Sequence, residues 1–214
     1  LGFFRSGSSH RARIALGLKG IAYENVPVNL RDGKHKESLY TALNPQGLVP
    51  TLVLDDGTAL SQSPAIIEYL EEYKPDPPFL PTDPIERAQA RGMAALIGCD
   101  IHPINNLRVL NALRRDFGAD EETVSAWCRR WIRPGFDALE AMLEQRQTGT
   151  RYSFGDAPGL VEIYLVPQVF SAARFGLDMS AYPRIRALDT ACASLPAFRD
   201  AAPGNQPDAV YPSE

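Results

Sequence analysis

Cysteine and histidine are scarce in this sequence, and neither is patterned. The three cysteines, Cys99, Cys128 and Cys192, are odd in number, far apart and free of any CxxC pair. That spacing speaks against a disulfide framework and a thiolate zinc site, and it suits a reducing cytoplasm. The three histidines, His10, His35 and His102, are equally scattered, with no HExxH and no carboxylate at ligand spacing, so no metal is expected. No apolar run is long enough to span a bilayer, so no membrane association is expected. Basic charge is not in excess either. A formal net charge of −4 gives no general attraction to nucleic acid or to an anionic membrane. Repeats, low-complexity tracts and a secretory signal pattern are all missing, and the sequence opens on Leu1, so a few native residues are expected ahead of it.

What is there can fill a substantial core: 214 residues, 44% of them hydrophobic, suffice for one large domain or two small ones. The stretch FFRSGSSHRARIALGLKG, residues 3 to 20, leads two aromatics through small hydroxyls and glycine directly into a helical pattern. Ala12, Ala15, Leu16 and Lys19 share one face of that helix, and Gly20 stands where a C′ residue belongs. Val26, Val28 and Leu30 alternate as in a strand, while TLVLDDGTAL predicts a hairpin around Asp56 and Gly57. SPAIIEYLEEY predicts a helix with Ser63 as N-cap and Pro64 at the first helical position. Residues 1–74 therefore read as a mixed α/β domain. Five prolines between Pro75 and Pro84 mark residues 75–84 as a linker. From the capping group Asp83, Pro84 and Glu86 to Phe198 the patterns are helical, predicting an all-α domain over residues 85–214.

Five blocks carry a resemblance: FFRSGSSHRARIALGLKGIAYENVPVNL, ALNPQGLVPTL, LSQSPAIIEYLEE, CDIHPINNLRVL and YLVPQVFSAARFGLDMSAYPRI. In order and spacing, over almost the whole chain, they resemble the zeta class of glutathione transferases. Bacterial glutathione-dependent maleylpyruvate isomerases look most similar, sharing the Ser-Gly-hydroxyl-Ser-His form of the first motif and the Cys-Asp-Ile-His-Pro block. Maleylacetoacetate isomerases instead carry Ser-Ser-Cys-Ser, where this chain has Gly7 and Ser8 in place of the second Ser and the Cys. The resemblance implies an α/β thioredoxin-like N-terminal domain plus an all-α helical C-terminal domain, glutathione as cofactor, and a homodimer. It implies glutathione-dependent cis–trans isomerisation of a small anionic maleyl diacid in aromatic catabolism.

A helix N-terminus presents free N–H groups and partial positive charge, so it favours an anion such as a thiolate. Ser6 can donate a hydroxyl hydrogen bond to sulfur, Gly7 allows close backbone approach, and Ser8 offers a weaker second donor; plain N-capping is the ordinary alternative. By resemblance, Val49-Pro50 is a cis pair whose backbone meets the cysteinyl part of glutathione. Gln62 and Ser63 would seat the γ-glutamyl carboxylate and His35 the glycyl end, an ordinary exposed histidine being the alternative there. His102 and Asn106, four apart and so one helical turn, are implied near bound glutathione, with Pro103 bending that helix. Arginine suits the substrate carboxylates, and the candidates are Arg5, Arg174 and, with a solvated helix face as its alternative, Arg108. In DAPGLVE, Gly159 and Glu162 depart from the family's Thr or Ser cap with Asp three residues on, which bears on stability. Two other readings compete: a zeta-type transferase or dehalogenase of small α-halo acids, and a non-catalytic binding protein of the same fold.

Overall fold

The computed structural model describes residues 1–146 and 149–209. In chain order these form helix α1 (Gly7–Leu18), α2 (Ser38–Leu43), strands β1 (Thr51–Val53) and β2 (Ala59–Ser61), and α3 (Ser63–Tyr73). There follow α4 (Pro84–Ala95), a π-helical turn (Leu96–Ile101), α5 (Leu107–Phe117), α6 (Glu121–Arg146), α7 (Leu160–Arg174), α8 (Pro183–Ala193) and α9 (Pro196–Ala201). By packing, the described residues fall into two units: Leu1–Pro78 together with residues 193–209, and Phe79–Cys192. The break lies inside the proline-rich segment. Helix α9, which the helical pattern assigns to the second domain, packs with the first unit: a Cβ at Gly17 would stand 3.1 Å from that of Ala197.

In the first unit α1 starts at Ser6, whose hydroxyl oxygen accepts the Ser9 N–H at 3.3 Å, and ends at Gly20, which takes φ 59°. Lys19, 1% exposed, donates to Glu71 Oε2 at 2.7 Å and to the carbonyls of Pro75 at 3.2 Å and Pro77 at 2.7 Å. An ammonium has three N–H donors, and three acceptors surround this one. The hairpin forms as expected, with Thr51 opposite Ser61 and Val53 opposite Ala59. The strand expected over Val26, Val28 and Leu30 shrinks to a single bridge. Gly2 makes one parallel bridge to Pro27, donating to Val26 O at 3.0 Å and accepting from Val28 N–H at 2.6 Å, while Leu30 lies in a turn. Proline has no N–H to extend that ladder. Leu1 completes the set by exchanging two hydrogen bonds with Thr51, at 2.8 and 3.0 Å.

Among the described residues the regular structure of the second unit is helical apart from an isolated bridge between Tyr152 and Gly155. Asp83 caps α4 as its spacing predicts, accepting from Ile85 and Glu86 N–H at 3.0 and 2.9 Å. The segment after α4 corrects the expectation: His102 ends the π-helical turn and Asn106 begins α5, so they do not share one helical turn. Packing accounts for the irregular turn. The Ile101 side chain lies against α6 at Gly135, where a Cβ would come within 2.4 Å of it. Ahead of α7, Gly159 fills the cap position as expected, and Glu162, 1% exposed, accepts from Gly159 N–H at 2.8 Å and from Ser153 N–H and hydroxyl at 2.9 and 2.6 Å. Among the described residues no helix is long and apolar enough to cross a membrane.

Candidate active site

Two helix N-termini of the first unit hold Ser6, Ser8, Gln62 and Ser63. At α1, Ser6 N–H donates to Phe3 O at 3.0 Å and the Ser6 oxygen accepts from Ser9, so the hydroxyl proton remains available to an acceptor in front of the helix. No acidic side chain stands in the first turn to offset the helix dipole. Arg5, Ser6 and Ser8 are all partly exposed there. Behind them His10 is buried with neither ring nitrogen hydrogen-bonded. Burial, then Arg13 and Arg11, push its pKa well below the usual histidine value, so it is neutral.

The second N-terminus, that of α3, differs by one residue from the predicted cap: Gln62 is the N-cap and buried Ser63 is the first helical residue. β2 ends at Ser61, so the chain must turn into the helix over Gln62 alone, which takes φ 69° and ψ 115°. A non-glycine residue there is strained by roughly 1–3 kcal/mol, and such strain clusters at ligand clamps. The Gln62 amide donates to Gln46 Oε1 at 2.5 Å. Gln46 went unmarked in the sequence; its only signal was a polar residue in the turn before Val49-Pro50.

The Val49-Pro50 bond is cis. Its loop is held from behind, Leu48 O accepting from Tyr40 Oη at 2.5 Å and Asn44 Nδ2 at 2.7 Å. Among the described residues no hydrogen bond involves the Val49 N–H or C=O, a half-buried backbone pair free for an extended ligand. His35 lies in a short turn, Lys34–Lys36. Its Nδ1 is buried without a partner, and burial followed by Lys36 lowers its pKa. A cavity of about 740 Å³ in this unit lies beside Leu1, against Tyr23, Val26, Val53 and Leu70. Of the predicted residues only Pro50 reaches its wall, so the cavity is not this site.

In the second unit the Asn106 carboxamide is engaged, its Oδ1 accepting Arg108 N–H at 3.2 Å. Both amide atoms of neighbouring Asn105 are buried without partners, which sequence spacing could not reveal. His102 is half-buried at the start of this turn, and Arg108 is exposed in the first turn of α5. Arg174 is exposed at the last position of α7, with its guanidinium 4.3 Å from the Phe175 ring centre. Cys128 is not a candidate nucleophile: burial pushes its thiol up to about 11 against the opposing field of Arg174, Arg114 and Arg129. Burial raises Cys192 further. Among the described residues no group of three or more His, Cys, Asp or Glu side chains is placed to hold a metal ion.

Comparison with known proteins supplies the family. Residues 5–73 match the model of the glutathione S-transferase N-terminal domain. A maleylpyruvate isomerase of Ralstonia sp. is 56% identical over 209 residues, 97% of this chain and 98% of its own. The holo structure of a maleylpyruvate isomerase, described as a bacterial zeta-class glutathione transferase, superposes with TM-score 0.95 at 55% identity, covering 97% of this chain and 98% of that one. A maleylacetoacetate isomerase from Methylobacterium extorquens, solved with malonate and glutathione bound, gives TM-score 0.93 at 37% identity over 98% of each chain. With its thioredoxin-like first unit, its helical second unit and the hydroxyl-rich start of α1, the chain belongs to the zeta class of the glutathione S-transferase family, that of the maleylpyruvate and maleylacetoacetate isomerases.

Proposed function

We propose that this chain catalyses glutathione-dependent cis–trans isomerisation of a maleyl keto-diacid to its fumaryl isomer, with maleylpyruvate as first choice of substrate. Bound glutathione supplies a thiolate whose reversible addition to the cis double bond permits rotation about it. The observation that carries the proposal is the start of α1, where Ser6 spends an oxygen lone pair on its own helix and keeps its proton for sulfur. The first unit suits glutathione in two further respects. The Val49 N–H and C=O are free to pair with an extended peptide, and α3 begins without a side-chain cap, an N-terminus suited to the γ-glutamyl carboxylate.

Ser6 holds the sulfur ionised and Ser8 adds a weaker donor. Gln62 and Ser63 hold the γ-glutamyl carboxylate; His35 meets the glycyl end. His102 and Asn106 lie near bound glutathione. Arg5, Arg108 and Arg174 bind the substrate carboxylates and offset negative charge that develops on its carbonyl oxygen. A cytoplasmic homodimer is part of the proposal; the free cysteines suit a reducing compartment.

Retention on immobilised glutathione, followed by absorbance assays with maleylpyruvate, maleylacetoacetate and a small α-halo acid, tests the whole reading. Retention with turnover of a maleyl substrate is expected. Turnover of the halo acid alone would make the chain a dehalogenating transferase, and failure to bind glutathione would overturn the site.

A further inference from the structure

Phe4 stands immediately ahead of Arg5 and Ser6, and two charged side chains bond its backbone N–H and C=O, one on each of its flanking peptides. Phe4 N–H donates to Asp208 Oδ2 at 3.0 Å, and Phe4 C=O accepts from Arg13 Nη2 at 3.0 Å. Arg13 Nε meanwhile donates to Ala201 O at 3.1 Å. The segment that delivers Asp208 is itself tied down: Gln206 Nε2 donates to the carbonyls of Asp200 and Ala202 at 2.8 and 3.0 Å, and its Oε1 accepts from Asn25 at 3.0 Å.

Phe4 is 2% exposed. The chain has left the sheet after Gly2, so no strand neighbour serves this buried backbone, and an unpaired buried amide is costly. Arg13 and Asp208 are drawn from opposite ends of the chain to do so. Burial lowers the Arg13 pKa to about 10 while Tyr23 and Asp208 oppose the shift, so the guanidinium stays charged at neutral pH. The remaining Asp208 oxygen, Oδ1, is buried without a partner. A carboxylate kept half-satisfied is a weak device for stability alone.

We infer that Asp208 and Arg13 are positioning residues: they clamp the backbone on both sides of Phe4 and thereby fix the direction of Arg5 and of the Ser6 hydroxyl. The inference rests on the reading of the α1 N-terminus as the thiolate site. Misplacement of a reacting group by one ångström costs on the order of a hundredfold in rate, so a clamp two residues from the hydroxyl matters.

The test is an ultraviolet titration of bound glutathione thiolate together with the pH–rate profile. A wild-type protein that does not lower the thiol pKa would sink the glutathione reading, whatever Asp208 does. Given a lowered wild-type value, Asp208→Ala should move the thiolate limb alkaline by about one pH unit and reduce kcat about tenfold, with a smaller change in KM for glutathione. Asp208→Asn keeps an oxygen that accepts Phe4 N–H and should restore most of both. As a control, Asn205→Ala removes a 2.7 Å bond to Arg199 O in the same segment and should lower thermal stability without moving the limb. The clamp is overturned by a wild-type limb in Asp208→Ala, by Asp208→Asn equalling Ala, or by an equal shift in Asn205→Ala. Should Asp208→Ala not fold, Asp208→Ser, too short to reach Phe4, carries the same expectation and the same overturning result.

Discussion

At the scale of single residues, the Ser6 oxygen has two jobs, and they should separate under mutation. Accepting the Ser9 N–H polarises the hydroxyl and strengthens it as a donor. Ser6→Ala should raise the thiol pKa of bound glutathione by about one to two units, since a hydrogen bond to a charged group contributes roughly 1.5–3 kcal/mol. Losing the cap should also cost about 1 kcal/mol of stability, a cost that follows from the capping bond and not from the motif. Ser8→Ala should move the alkaline limb less; an equal or larger shift would assign the role to Ser8. His10 governs a different titration. A base whose folded pKa is lowered takes up its proton first in the unfolded chain, so stability is present above the unfolded value of 6.5 and declines as pH falls below it. His35 shifts in the same direction. Urea unfolding should show stability falling by about 1.4 kcal/mol per pH unit on account of His10, with His35, the more exposed of the two, adding far less. His10→Phe should flatten much of that slope, and an unchanged slope would remove His10 as its source.

At the scale of elements, local signals were legible and those set by a neighbour were not. The Asp-Gly hairpin, the Asp83 cap and Gly20 after α1 follow from residue chemistry within a few positions, and they appear where the sequence places them. The π-helical turn at Leu96–Ile101 depends on Ile101 meeting Gly135, 34 positions away, and no periodicity announces it. Gly159 shows the difference most plainly. By capping preference alone, serine would be better there by a few tenths of a kcal/mol. A Cβ at that position, however, would stand 2.5 Å from the Phe79 carbonyl oxygen, which already accepts Leu160 N–H at 2.8 Å. Gly159→Ser should therefore destabilise the protein by about 1–3 kcal/mol in urea unfolding, and a stabilised variant would refute this account.

At the scale of the whole molecule, the proposed anion sites divide between the units, thiolate at α1 in the first and substrate carboxylate at Arg174 in the second. Arg174→Ala should reduce kcat/KM for maleyl diacids about 30- to 1,000-fold and leave turnover of an uncharged halonitroarene unchanged. Equal loss on both would show that Arg174 supports the fold. The return of the chain to the first unit after Ala193 was illegible because helical patterning says nothing about which partner a helix chooses. The buried ammonium of Lys19 has a practical corollary. The chain has four lysines, Lys19, Lys34, Lys36 and Lys74, and the last three are exposed. An amine-acylating reagent should label those three in the native protein, and trypsin should spare the bond after Lys19. Lys19 becomes reactive only when α1, Glu71 and the proline segment part company, so its acylation, counted by mass spectrometry, is a clock for the opening of the first unit.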